Sequence, residues 1–421
     1  MRKRPEGIRN YDAPAGGWGA TKALAQTLKR QQIVVQGVRT LLKANQPGGF
    51  DCPGCAWPDP KHTSSFEFCE NGAKAVTWES TAKRIGPDFF QAHSVAALWQ
   101  QTDHWLESQG RITHPLRYNR ATDRFEPVGW QEAFDGIALE LNALPSPDAA
   151  EFYTSGRASN EAAFLYQLFA RNFGTNNFPD CSNMCHEATS VGLPRSIGVG
   201  KATVTLDDYD HADLILSMGH NPGTNHPRMM ATLRDAARRG ATIIVFNPLR
   251  ERALERFESP QAPVEMATLS STQIATTYLQ IRVGGDAAAL KGIAKALVAL
   301  DRAAQAASQA AVLDHAFIAG HTAGYAEFVA DIDATAWEAI EGICGLTRAQ
   351  LEDVAQVYAA AKATICCYGM GITQHRSGTR NVQQIMNLLL LKGNIGRPGT
   401  GRAPLRGHSN VQGDRTVGIT E

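Results

Sequence analysis

Three stretches of this chain share one grammar, and that repetition limits the fold more than any other feature. Asp213-Leu-Ile-Leu-Ser-Met-Gly219, Ala241-Thr-Ile-Ile-Val-Phe-Asn247 and Ala363-Thr-Ile-Cys-Cys-Tyr-Gly369 are short, almost unbroken apolar runs, each ending in a polar turn. Runs of that length without alternation suit strands buried on both faces. Helical periodicity follows the first and third, over Arg228–Arg239 and Thr379–Lys392. Strands alternating with helices predict an α/β fold: Rossmann-like parallel sheets with helices on both faces. Ligands of such sheets sit beyond the carboxyl ends of the strands, where the turns His220–Asn225, Asn247–Arg250 and Gly369–Gln374 would gather. Glu151-Phe-Tyr-Thr-Ser-Gly-Arg157 reads as a further strand entering a glycine turn, with a helix from Ser159. None of these turns carries a GxGxxG or Walker pattern, so an ordinary nicotinamide or ATP site is not supported.

The 421 residues are too many for one domain. Three regions are expected: residues 1–110, residues 111–180 with 409–421 as a candidate continuation, and residues 181–408. Lys and Arg (41) balance Asp and Glu (41), so no nucleic-acid partner is implied. The longest apolar runs, such as Ile385–Leu391, fall far short of a membrane span. The charged start Met1–Gly7 leads into no apolar segment, which argues against a secretory or twin-arginine signal and for a cytoplasmic location. There the 8 cysteines are to be read as metal ligands, redox groups or core residues rather than disulfides. The chain stops at Glu421 with no closing element and so reads as a piece of a longer polypeptide.

Cysteine chemistry is concentrated in two places. Cys52-Pro-Gly-Cys55 is followed by Cys69-Glu-Asn-Gly, and two thiolates separated by a tight turn can face one metal. Ala56-Trp-Pro-Asp-Pro60 breaks the helix that a thioredoxin-like dithiol needs. A structural zinc site of Cys52, Cys55, Cys69 and His62, and an iron–sulfur cluster on the same thiolates, both stay open. Further on, Cys185-His186 stands at the expected start of a helix. A helix N-terminus favours thiolate, which is a nucleophile and a soft metal ligand, and a neighbouring imidazole titrates near neutrality. Cys366 and Cys367 lie in an expected buried strand, pointing to opposite faces as packing residues. In the glycine-spaced run Pro404–Arg415, Arg406 is suited to an anionic ligand.

Taken in order, Cys52-Pro-Gly-Cys55, Cys69-Glu-Asn-Gly, Thr154-Ser-Gly-Arg157, Asn183-Met-Cys185-His186, Gly219-His-Asn-Pro-Gly-Thr-Asn-His-Pro-Arg228, Tyr368-Gly-Met-Gly-Ile-Thr-Gln374, Lys392-Gly-Asn-Ile-Gly and Arg406-Gly-His-Ser-Asn-Val-Gln-Gly resemble the molybdopterin oxidoreductases related to formate dehydrogenase alpha subunits. The resemblance implies a molybdenum or tungsten ion held by two pyranopterin guanine dinucleotides, with a 4Fe-4S cluster in a small N-terminal region. By it, Cys185 is the metal ligand, His186 the adjacent proton-handling residue and Arg406 the group that orients a small-molecule substrate. Arg157, Asn221, Asn247, Asp286, Gly369, Gly371, Gln374 and His408 fall on cofactor-binding motifs. Cys52, Cys55 and Cys69 fall on the cluster motif, and electrons would leave to an electron-transfer subunit or carrier. The sequence departs from the family where a third clustered cysteine is expected, which is Asp59 here, a carboxylate that would take that place as a cluster ligand and alter its lability or potential, and where a bridging lysine is expected, which is Asn71. Formate dehydrogenases tend to have Gln at the place of His408. The family also continues into a C-terminal barrel domain, which these residues do not contain. The rival readings are a cofactor-binding scaffold without turnover and a zinc-stapled α/β binding protein.

Overall fold

The computed structural model describes residues 11–61 and 64–420. His62 therefore lies outside the described residues. Backbone proximity divides the chain into two compact units. One comprises the described residues up to 21, residues 55–61 and residues 182–407; the other comprises 22–54, 64–181 and 408–420.

The first unit is built on a five-stranded, all-parallel sheet of β1 (Leu214–Met218), β2 (Thr242–Phe246), β3 (Thr277–Leu279), β4 (Thr364–Tyr368) and β5 (Gly401–Pro404). Its spatial order is β3-β2-β1-β4-β5. The expected strands form where the apolar runs are, because a strand with neighbours on both edges and helices on both faces can bury every side chain. Side-chain alternation divides β1 between two cores. Leu214, Leu216 and Met218 pack with the helices α1 (Glu187–Ile197), α3 (Asp286–Ala306), α4 (Arg348–Ala360) and α5 (Gly378–Leu390). Ile215 packs with α2 (Met229–Arg238) on the opposite face. Cys366 and Cys367 on β4 divide the same way, one into each core, as the period of two requires. The order places the topological switch point between β1 and β4, so the turns after Met218 and Tyr368 open on one crevice.

The second unit is mostly helical, with helices Val34–Leu41, Glu70–Glu79, Trp130–Asn142 and Asn160–Phe173 and an antiparallel hairpin of Leu116–Asn119 with Arg124–Pro127. Phe152, Ala163, Ala170, Phe178 and Ile419 form one small core, and Leu28, Leu41, Ala73 and Val76 another. The strand expected at 151–154 does not form. Phe152 N–H donates to Asn177 O (2.9 Å), and Thr154 makes only an isolated bridge to Asp180. An extended segment becomes a strand only when a neighbour offers a continuous backbone edge, and here the described neighbour offers two contacts.

Candidate functional site

Cys185 closes the short helix Cys181–Cys185, and His186 breaks the chain before α1 begins at Glu187. Two bonds from the turn after β4 fix this corner. Thr373 Oγ1–H donates to Cys185 O (2.8 Å) and Gln374 Nε2 donates to Met184 O (2.7 Å). The thiol is not set at a helix start with a lowered pKa. Burial pushes it up, while the Gly407 N–H and the Arg406 charge pull it down.

The expectation that His186 titrates near neutrality is also corrected. His186 is fully buried, and that burial drives its pKa down to about 3, helped by the charge of Arg406. Its bonds explain why the neutral ring is stable. Nε2 lies 2.8 Å from Leu405 O, and a carbonyl only accepts, so Nε2 carries the proton. Nδ1 is then the acceptor from Thr189 Oγ1 (3.1 Å), which in turn contacts the Tyr368 hydroxyl (3.1 Å). His186 is thus a strut that joins the Cys185 corner to the segment carrying Arg406.

A second imidazole pair holds the next residue. His226 Nε2 donates to Arg406 O (2.6 Å), so His226 Nδ1 accepts from His220 Nε2–H (2.7 Å). By elimination His220 Nδ1 is a bare acceptor, buried and with no protein donor among the described residues. Burial holds both rings below the usual histidine range. The sequence shows these histidines only as part of a polar turn; their pairing depends on a carbonyl 180 residues away from His226.

His220 borders a cavity of about 280 Å³ at the strand ends, lined also by Asn221, Asn247, Asp286, Gly371 and His375. Four of the expected cofactor residues are therefore brought together. The crevice floor is glycine by necessity. A Cβ on Gly371 would stand 2.6 Å from Gly219 O, and Gly219 itself has φ +55°. Gly369 lies beside Gly219 and His220, and Gln374 faces the Cys185 corner rather than the cavity. The convergence of amides, a carboxyl and a bare imidazole acceptor on glycine-backed backbone fits the nucleotide part of a large cofactor.

Asp286 is pushed up to about 6, chiefly by burial, with its own backbone N–H and the charge of His375 opposing. The folded chain then keeps a proton that the unfolded chain has released, so this residue's contribution to stability falls as pH climbs from about 4 to about 6. Over the same window the buried His186, His220 and His226 contribute slopes of the opposite sign, and Asp414, also pushed up to about 6 by burial and by Asp180, one of the same sign. Asp286→Asn should therefore gain in denaturation midpoint relative to the native chain as pH climbs through that window. Parallel pH profiles for the two would show that Asp286 is solvated.

In the second unit, Cys52 and Cys69 approach the same residue. A Cβ on Gly72 would stand 2.8 Å from Cys52 Sγ and 3.6 Å from Cys69 Sγ. Each sulfur accepts a backbone N–H, from Gly54 and Gly72 respectively (3.3 Å each). Cys55 and Asp59 belong to the first unit, where Cys55 packs near Trp57 and Asp59 pairs with Arg228 at 2.7 Å. Among the described residues, no group of three or more His, Cys, Asp or Glu is gathered as a metal site. Arg157 lines a cavity of about 820 Å³ with Cys52, Asn160, Glu161 and Asn410. His408 Nδ1 lies 3.2 Å from Cys181 Sγ, which also accepts the Gly156 N–H (3.1 Å).

A strand-end crevice at a switch point, with a thiol corner and a buried arginine beside it, is the architecture of an α/β protein that binds its ligand beyond the carboxyl ends of the strands. The chain belongs to the molybdopterin oxidoreductase family, whose model matches residues 111–418. Among its relatives is Protein YdeP of Escherichia coli (strain K12), 57% identical over all of this chain and 55% of that protein. The oxidoreductase Rv2900c of Mycobacterium tuberculosis is 45% identical over 97% of this chain and 52% of its own length. Formate dehydrogenase H of Escherichia coli (strain K12) is 29% identical over 73% of this chain and 40% of its own length. The chain thus spans about half the length of the curated relatives it matches most strongly. Acetylene hydratase from Pelobacter acetylenicus shares the fold, with a TM-score of 0.56 over 69% of this chain and 36% of that one, at 17% identity.

Proposed function

We propose that this chain carries the redox site of a two-electron oxidoreductase in which Cys185 is the protein's own ligand to molybdenum or tungsten. The observation that supports it best is convergence: the Cys185 corner, Arg406 and the strand-end crevice all lie at the carboxyl edge of β1 and β4 in one unit. When bound, a bis-pyranopterin guanine dinucleotide supplies a metal that takes two electrons from the substrate. Asn221, Asn247 and Asp286 hold its nucleotide part on the glycine floor. Arg406 orients a small carboxylate-like anion, formate being the simplest member of that class. Neutral His186, His220 and His226 keep the Arg406 segment in register with Cys185, and His186 handles protons only if binding opens it to solvent.

The cluster is proposed on Cys52, Cys55 and Cys69. Two of these sulfurs already accept backbone N–H bonds, the environment that tunes cluster thiolates. Asp59 as fourth ligand would have to leave Arg228. An electron-accepting subunit or carrier completes the reaction. Among the described residues no helix is long and apolar enough to cross a membrane. The test is elemental and pterin analysis of anaerobically purified protein. Molybdenum or tungsten with two pterins per metal, plus iron, is expected; zinc without pterin would refute the reading.

A further inference from the structure

Arg402 is the largest fully buried side chain among the described residues, with 0% exposure in the middle of β5. Strand register explains how it is enclosed, since Arg402 stands opposite Cys366 on β4 and its backbone N–H donates to Thr203 Oγ1 (3.1 Å). Only one of its guanidinium nitrogens is satisfied: Nη2 donates to Val199 O (3.1 Å) and Lys201 O (2.5 Å). Nε and Nη1 meet no protein acceptor among the described residues. That leaves three N–H bonds and a full positive charge without a counter-group. The phenol of Tyr368, the one group whose charge would oppose it, is kept protonated by burial.

Burying an uncompensated charge is among the costlier things a fold can do, and it persists where something else requires it. The surroundings indicate what that is. Arg406 Nη2 donates to Gly200 O (3.4 Å), so the carbonyls of residues 199, 200 and 201 are shared between the two arginines. The loop 199–201 is thereby tied to two guanidinium groups, and among the described residues no carboxylate forms an ion pair with Arg402. We infer that Arg402 is the second cation of an oxyanion site shared with Arg406, and that it selects anionic over neutral ligands at this end of the sheet. The inference rests on the reading of Arg406 given above. The ligand chemistry is a small oxyanion, either a free planar one such as a carboxylate or nitrate, or a phosphate group of a larger molecule.

Thermal unfolding of the purified protein, with its cofactor content left as isolated, tests this in sodium formate, nitrate or phosphate against chloride at matched ionic strength. The native chain should be stabilised by at least one oxyanion beyond chloride. Preference for formate or nitrate assigns a planar ligand, and preference for phosphate assigns a phosphate group. Arg402→Met should weaken that response about tenfold or more, the loss expected when a charged hydrogen-bond donor is removed. Without oxyanion the same variant should unfold no earlier than the native chain, because a buried charge has been replaced by an apolar group of similar length. Arg402→Lys keeps the charge and should restore part of the response. An unaltered oxyanion response in Arg402→Met with earlier unfolding would make Arg402 a clamp on the 199–201 loop and overturn the inference. So would a native chain that does not distinguish oxyanions from chloride. Arg406→Gln separates the two readings: a weakened response in both variants supports the shared site, whereas a response kept in Arg406→Gln and lost in Arg402→Met removes the orienting role of Arg406 and overturns the sharing, leaving an oxyanion site on Arg402 alone.

Discussion

Cys185→Ala should leave the pterin content of the purified protein nearly unchanged and lower turnover by about a thousandfold or more, the scale seen when a residue at the reacting centre is removed. The two halves of that result come from different parts of the structure. Retention of the cofactor is expected because Asn221, Asn247 and Asp286, which are proposed to hold it, line the strand-end cavity, and Cys185 is not among the residues that line it. The side chain removed is small, and the corner that holds it is fixed through backbone carbonyls, by Thr373 to Cys185 O and Gln374 to Met184 O. Alanine preserves both bonds. Activity measured beside pterin fluorescence decides the matter; full turnover in the variant would take Cys185 out of the chemistry.

Gly371→Ala should cost about 3 kcal/mol, the upper part of the range for forcing atoms into a packed interior. The added methyl would stand 2.6, 2.7 and 2.9 Å from the O, Cα and C atoms of Gly219, all backbone, so no side chain can turn aside to relieve it. Gly371 N–H also donates to Gly219 O (3.0 Å), and that bond ties the turn after β4 to the turn after β1. Opening it widens the crevice in which the cofactor is proposed to sit. Chemical denaturation should show the lower midpoint, and pterin analysis a several-fold loss of cofactor. A native midpoint with full pterin would mean that the two turns move apart freely.

How much of this was legible beforehand depends on how local the cause is. The strands β1, β2 and β4 were readable because burial on both faces demands an unbroken apolar run, and the polar residues where the runs end mark the crevice. Cys366 and Cys367 were readable as packing residues because strand alternation sends neighbours to opposite faces. Glu151–Thr154 has strand-like residues, yet a strand also needs an edge to pair with, and that edge is a property of the partner. The site residues show the same divide. Asn221, Asn247 and Gly371 lie on the turns that any parallel sheet brings together, whereas Asp286, the first residue of α3, was marked only by the family resemblance. The charge state of His186 was misjudged because it is set by Leu405, 219 residues further on, and by total burial. Arg402 gave no signal at all, since an arginine beside Gly401 in a polar-looking stretch reads as exposed until the strand around it is seen.

If the sulfur of Cys185 binds the metal as proposed, X-ray absorption at the molybdenum or tungsten edge will report it among the neighbours of that ion. One sulfur neighbour fewer is expected in Cys185→Ala than in the native protein at equal metal content. Identical spectra from the two would contradict the proposed ligation.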